Sequence, residues 1–185
     1  MADTSDFRNG FTMTFDGDIF SITDFQHVKP GKGNAFVRTK LKNMKTGAVI
    51  DRTFRSGDKV EEVRVEKREM QFLYADGEIF HFMDLETYEQ LPIPAAQIGD
   101  GTKLLKENDN AFILMAEDKS IGVELPNFVK LKIQHTEPGI KGDTATNATK
   151  PATLETGAVV MVPLFVNRDD TLKIDTRSGN YVERV

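Results

Sequence analysis

Apolar and polar residues alternate along much of this chain, and turn signals interrupt the alternation roughly every 8–12 residues. Only an extended backbone sends neighbouring side chains to opposite faces, so this rhythm commits the chain to short strands joined by tight turns. Thr12–Phe15 and Ile19–Ile22 flank the hairpin signal Asp16-Gly17-Asp18. Phe25–Val28 and Ala35–Asn43 flank a glycine-rich tip, and Lys45-Thr46-Gly47 turns the chain into Ala48–Arg55. Val63–Tyr74 and Ile79–Met83 flank Asp76-Gly77. Pro92-Ile93-Pro94 reads as a break followed by a short helical stretch. Ala111–Ala116 and Ile121–Leu125 then surround Glu117-Asp118-Lys119. The last part opens with Phe128–Thr136, crosses a polar loop at Glu137–Thr149, and ends in Val159–Val166, Leu172–Asp175 and Tyr181–Arg184. The fold class is therefore all-β, divided into three small barrels at 1–62, 63–126 and 127–185. The second and third are of about 60 residues each, the size of five-stranded OB-like barrels.

Composition narrows the function. With 39% hydrophobic and 29% charged residues, the chain has the balance of a globular protein. No cysteine is present, so disulfides and thiolate sites are excluded. His27, His81 and His135 share no metal-ligand spacing, and His81, in the apolar stretch Ile79–Met83, reads as a packed strand residue. There is no G-x-S-x-G, no H-E-x-x-H and no carboxylate pair placed as acid and base. The expectation is a protein that is not an enzyme and uses no metal or cofactor. The polar start MADTSDFRNG and the lack of a long apolar run point to a cytoplasmic protein with no membrane partner.

Charge singles out one region. The net charge is −5, yet residues 25–59 hold nine Lys/Arg against two Asp/Glu, whereas residues 64–127 hold six against thirteen. A basic region followed by an acidic one suits oriented binding to a polyanion. At its centre lies HVKPGKGNAF, His27 to Phe36. Pro30 fixes its own φ, Gly31 and Gly33 remove bulk on either side of Lys32, and the tip presents one amine at the end of a hairpin. It is not a nucleotide-binding P-loop, because Gly31-Lys32 is followed by Gly33 where that motif needs Ser or Thr, and Gln26 stands where it needs its first glycine. Beyond the tip, Ala35, Val37, Thr39 and Leu41 share one strand face, while Arg38, Lys40 and Lys42 share the other. That row of cations, about 7 Å apart, can follow a phosphate backbone.

These features resemble bacterial translation elongation factor P along essentially the whole chain. The resemblance rests on KPGKG at Lys29–Gly33, GDT at Gly142–Thr144, KPATLETGAVVMVPLFV at Lys150–Val166 and DTRSGNYVERV at Asp175–Val185. Asp169 departs from the pattern, where the family is expected to carry glycine, and Asn34 replaces the glutamine of some members. The resemblance implies an SH3-like (KOW-like) N-terminal barrel and two OB folds, in an L shape that mimics tRNA. It implies a monomer that binds ribosomal RNA and proteins between the P and E sites. Such a factor positions peptidyl-tRNA for peptide bond formation and relieves stalls at consecutive prolines. Lys32 is then the functional tip, with Lys29, Pro30, Gly31, Gly33 and Asn34 against the P-site tRNA. Arg38, Lys40 and Lys42 contact RNA backbone. Gly142, Asp143 and Thr144 face the E-site codon of the mRNA, and Arg177, Tyr181 and Arg184 face the small subunit. Lys32 acts either bare or lengthened by a lysine-modifying enzyme. The competing readings are the elongation factor P-like paralogue, which shares the fold, and a generic single-stranded RNA-binding OB protein, which needs exposed aromatic platforms.

Overall fold

The computed structural model of the chain describes residues 1–139 and 147–185. The all-β expectation holds. The first sheet contains β1 (Ala2–Asp3), β2 (Thr12–Phe15), β3 (Asp18–Val28), β4 (Phe36–Asn43), β5 (Val49–Arg55) and β6 (Lys59–Glu62). The second contains β7 (Val65–Asp76), β8 (Ile79–Asp84), β9 (Gln90–Pro94), β10 (Asn110–Ala116) and β11 (Lys119–Glu124). The third contains β12 (Phe128–Thr136), β13 (Thr149–Leu154), β14 (Val159–Pro163), β15 (Thr171–Asp175) and β16 (Asn180–Arg184). A short helix, α1 (Ala95–Ile98), and a 3-10 turn, Gly99–Leu104, follow β9. By compactness the chain forms two units, Met1–Arg68 with Ile113–Gly122, and Glu69–Phe112 with Val123–Val185.

The first sheet runs in the order β1-β6-β2-β3-β4-β5. It curls around one core, because Ala2 of β1 and Phe54 of β5, from opposite ends of the order, are buried in the same cluster as Phe11, Met13, Ile22, Val37 and Leu41. Phe7 meets the Phe54 ring edge-on at 5.4 Å between centroids. Closure depends on β1 and β6, neither of which the sequence pattern singles out. Residues 56–62, read as a boundary, contain the strand that hydrogen-bonds to both β1 and β2. The third sheet, β14-β13-β12-β15-β16, also curls, with its two end strands in contact around Leu131, Ile133, Leu154, Val162, Leu172 and Ile174.

Three local readings change. Ile19–Ile22 and Phe25–Val28 are one strand, β3, bulged between Ile22 and Asp24. Thr23 is the extra residue, and its hydroxyl donates to the Lys40 carbonyl at 3.2 Å. Pro92 and Pro94 do not break the chain but lie in β9, the last strand of the order β11-β10-β7-β8-β9. An edge strand has a free side on which a missing N–H costs nothing. Third, β13 falls where no strand was expected. Its alternation is hidden by Lys150, which occupies an inward position, buried, with its ammonium donating to the Glu137 carbonyl at 2.7 Å. Pro151 is accommodated because the β12–β13 register stops at Ala152, leaving Pro151 paired only with Met161 of β14.

Candidate functional site

The antiparallel arms β3 and β4 remain in register out to Val28↔Phe36, and the tip Lys29–Ala35 closes the hairpin. Gly33 has φ +111°, a backbone that L side chains rarely adopt, and the nearest atom to a Cβ placed there is Pro30 Cγ at 3.8 Å. The loop thus folds its proline toward the second glycine and leaves Lys32 between them. Lys29, Gly31, Lys32, Gly33 and Asn34 are exposed and Pro30 is half-buried. Only at Ala35, whose carbonyl accepts from the Ser56 N–H at 3.0 Å, is the loop tied back to the barrel. Among the described residues, neither Lys29 nor Lys32 takes part in an ion pair or side-chain hydrogen bond. The cationic end of the hairpin is therefore uncommitted.

On β4 the inward residues Val37, Thr39 and Leu41 are at most 3% exposed, while Arg38, Lys40 and Lys42 are exposed. The alternation read from sequence is thus the one observed. Thr39, the polar member of the inward row, satisfies its hydroxyl by donating to the Arg52 carbonyl at 2.8 Å. Arg38 lies over the Phe36 ring at 5.5 Å, two residues along the same face.

Register adds what sequence reasoning missed. On the outward face Lys42 stands between Ser21 and Val49, and Lys40 between Asp24 and Asp51. Arg38 stands between Gln26 and Thr53, and Phe36 between Val28 and Arg55. The two middle rows, Asp24, Lys40 and Asp51 with Gln26, Arg38 and Thr53, line a shallow groove of about 360 Å³ together with Thr39 and Arg52. Asp24 and Asp51 lie sixteen and eleven residues from Lys40 in the chain, so only the pairing register brings the three charges together.

The other sequence-derived residues lie elsewhere. Arg177 sits in the β15–β16 turn, where its guanidinium donates to both Asp175 carboxylate oxygens, at 3.2 and 2.8 Å. Those bonds, with one from the Arg177 backbone N–H, hold the Asp175 pKa down from its ordinary 3.8 to about 2. Tyr181 is half-buried against the third sheet's core. Arg184 pairs with Asp170 at 3.3 Å and lies over the Phe165 ring at 5.4 Å. Asp169 has φ +70°, a left-handed conformation that fits the expectation of glycine at this position, and its carboxylate pairs with Lys132 at 3.1 Å. Gly142, Asp143 and Thr144 lie outside the described residues. His81 is half-buried and stacked on Tyr74 at 4.5 Å. No helix among the described residues is long and apolar enough to cross a membrane.

Three family models match the chain in succession. Residues 3–60 match the elongation factor P (EF-P) KOW-like domain, residues 65–123 the elongation factor P (EF-P) OB domain, and residues 129–184 the elongation factor P C-terminal model. Similar curated proteins include elongation factor P of Pelotomaculum thermopropionicum, 60% identical over 185 residues, and that of Moorella thermoacetica, 59% identical over 184. Elongation factor P of Clostridium botulinum is 55% identical over 185 residues. In each case 100% of both chains is covered. Among solved structures, eukaryotic translation initiation factor 5A from Methanococcus jannaschii matches with a TM-score of 0.53 at 24% identity. That match covers 68% of this chain and 90% of the other, and carries the fold alone.

Proposed function

The chain belongs to the elongation factor P family, a family of translation elongation factors, and we propose that it binds the ribosome between the P and E sites and orders the CCA end of peptidyl-tRNA. The observation that carries this reading is the uncommitted Lys32 in the tip of a hairpin whose arms stay paired out to Val28 and Phe36. Lys29, Pro30, Gly31, Gly33 and Asn34 form the tRNA-facing loop, and the outward face of β4 meets RNA backbone. Gly142, Asp143 and Thr144 read the E-site codon, and the domains divide at 1–62, 63–126 and 127–185.

The chemistry needs no bond-making group on the factor. Proline attacks poorly because its ring restricts the approach of the nitrogen. Holding reactants in an attack geometry supplies up to about 7–11 kcal/mol, and part of that is enough to relieve a stall at consecutive prolines. An ammonium donates to phosphate or 2′-hydroxyl oxygens, so Lys32 acts as a finger against the tRNA end. Lys32→Ala should abolish stimulation of a proline-run reporter in reconstituted translation while shifting stability by no more than about 0.5 kcal/mol. Full stimulation by the variant would sink the proposal.

A bare lysine reaches about 6 Å from its Cα. The exposed Pro-Gly-Lys-Gly tip is open to an enzyme that lengthens it. Mass spectrometry of the tip peptide from the native host should show added mass on Lys32. An unmodified peptide from fully active protein assigns the role to lysine itself.

A further inference from the structure

Taken row by row toward the tip, the outward face of β3, β4 and β5 has an uneven charge. The Ser21–Lys42–Val49 row carries a single positive charge. The next, Asp24–Lys40–Asp51, carries two carboxylates around one ammonium and is net negative. The Gln26–Arg38–Thr53 and Val28–Phe36–Arg55 rows are each positive, and the tip with Lys29 and Lys32 continues from them. All six charged side chains of these rows are exposed. No ion pair within 4.0 Å closes between Lys40 and either aspartate, so the three charges face solvent together and act as a sum.

Directly opposed cross-strand residues have Cβ atoms about 4.5–5.5 Å apart. That lies inside the roughly 8 Å screening length at physiological salt, so a phosphate above Lys40 feels both carboxylates as well as the ammonium. Arg38 and Lys42, two residues away on either side, are about 7 Å further along the strand, close to that screening length, so their pull on the same phosphate is weaker than the push of the two nearer carboxylates.

We infer that the face holds RNA at two phosphate stations, Lys42 alone and Arg38 with Arg55, and that the Asp24–Lys40–Asp51 row between them takes no phosphate. This rests on the reading of the face as an RNA contact. The stations are about 14 Å apart, four strand residues at 3.4 Å each, so the backbone touches the face, passes over the acidic row and touches again. Arg55 is the recruit from outside the sequence-derived row. It stands beside Phe36, next to the point where the tip is tied to the barrel through Ser56 and Ala35. It thereby joins the phosphate track to the finger at Lys32. The two aspartates hold the register of the RNA by repulsion, since a slide by one row would place a phosphate against them.

The test is ribosome co-sedimentation of the full chain over a salt series, because the slope of log affinity against log salt counts phosphate contacts. Lys42→Gln and the double variant Arg38→Gln/Arg55→Gln should each flatten the slope by about 0.7–0.9, and Arg38→Gln or Arg55→Gln alone should flatten it by less. The triple variant Asp24→Asn/Lys40→Gln/Asp51→Asn should leave the slope unchanged. Asp24→Asn/Asp51→Asn, which frees Lys40, should steepen it by about 0.7–0.9 and tighten binding. A flattened slope in the triple variant, or an unchanged one in the double, would mean that Lys40 already holds a phosphate and would overturn the inference. An unchanged slope for Arg55→Gln would remove Arg55 from it. If no variant on the face moves the slope while Lys32→Ala still abolishes stimulation, the face is not an RNA contact, and it is that part of the proposed function which fails.

Discussion

At the scale of single residues, the tip depends on what two glycines do differently. Gly31 has open space where a Cβ would go and no left-handed φ, whereas Gly33 sits at φ +111°. A methyl group at Gly31 adds bulk without strain, while one at Gly33 forces the backbone to move, and with it the direction of Lys32. The left-handed region costs an L residue about 1–2 kcal/mol. Gly33→Ala should therefore lower stimulation of a proline-run reporter much more than Gly31→Ala, with both variants melting like the parent because the loop makes little contact with the barrel. Equal losses would assign the requirement to thinness rather than to backbone conformation. Lys32, its glycines and the alternation of Val37, Thr39 and Leu41 with three cations were legible in the sequence, because each is a local pattern of neighbours or next-but-one residues. The company kept by Lys40 was not, because Asp24 and Asp51 come from other strands. The bulge at Thr23 shifts the side-chain parity of β3, so even a correct list of strands would have turned Asp24 toward the wrong face.

At the scale of elements, the same contrast explains which strands sequence reasoning found. β4 and β12 obey a clean apolar alternation and were read within a residue of their ends. β13 was missed because it puts an ammonium where the pattern demands an apolar group and follows it with proline. β1 was missed because two residues show no period, and β6 because Lys59-Val60-Glu61-Glu62 has a single apolar residue and no alternation, although both close the first barrel. The β15–β16 hairpin has an electrostatic pin that can be tested alone. Arg177 side-chain bonds, then its backbone N–H at 2.9 Å, favour the ionised Asp175 and depress its pKa to about 2. A depressed carboxylate contributes stability that is present above its unfolded value, near 3.8, and is lost as pH falls toward 2. Arg177→Gln keeps the backbone donor and removes the guanidinium. The Asp175 midpoint, followed by carboxyl NMR, should rise part of the way from about 2 toward 3.8, and the hairpin should loosen at a higher pH than in the parent. A midpoint that stays near 2 would assign the whole effect to the turn's backbone N–H groups.

At the scale of the whole molecule, a generic single-strand binder and a ribosomal factor differ in what their surfaces must offer. A sequence-tolerant binder stacks successive bases on exposed rings along one groove. The chain has no tryptophan, and of its thirteen phenylalanines only Phe128 and Phe165 are exposed. Each of those rings already carries a cation, Lys173 over Phe128 at 4.9 Å and Arg184 over Phe165 at 5.4 Å. Of the two exposed tyrosines, Tyr74 stacks on His81 at 4.5 Å, and Tyr88, 71% exposed, is a single ring in the β8–β9 turn rather than one of a row. The other phenylalanines are buried or half-buried, six of them, Phe7, Phe11, Phe15, Phe20, Phe25 and Phe54, in or against the first barrel's cluster. The aromatic content has thus gone into cores, and the surface offers charge instead, concentrated at residues 25–59. Charge alone gives weak binding that collapses with salt, unless many contacts form at once on a partner of matching shape. The full chain should therefore co-sediment with ribosomes carrying peptidyl-tRNA in the P site at salt concentrations where a single-stranded RNA oligonucleotide no longer shifts its fluorescence or mobility. Neutralising Arg38, Lys42 or Arg55 should then weaken ribosome binding without creating or removing oligonucleotide binding. Equal affinity for the oligonucleotide and the ribosome at physiological salt would favour the generic binder. It would also require a stacking surface to exist in place of the rings now committed to cores and cations.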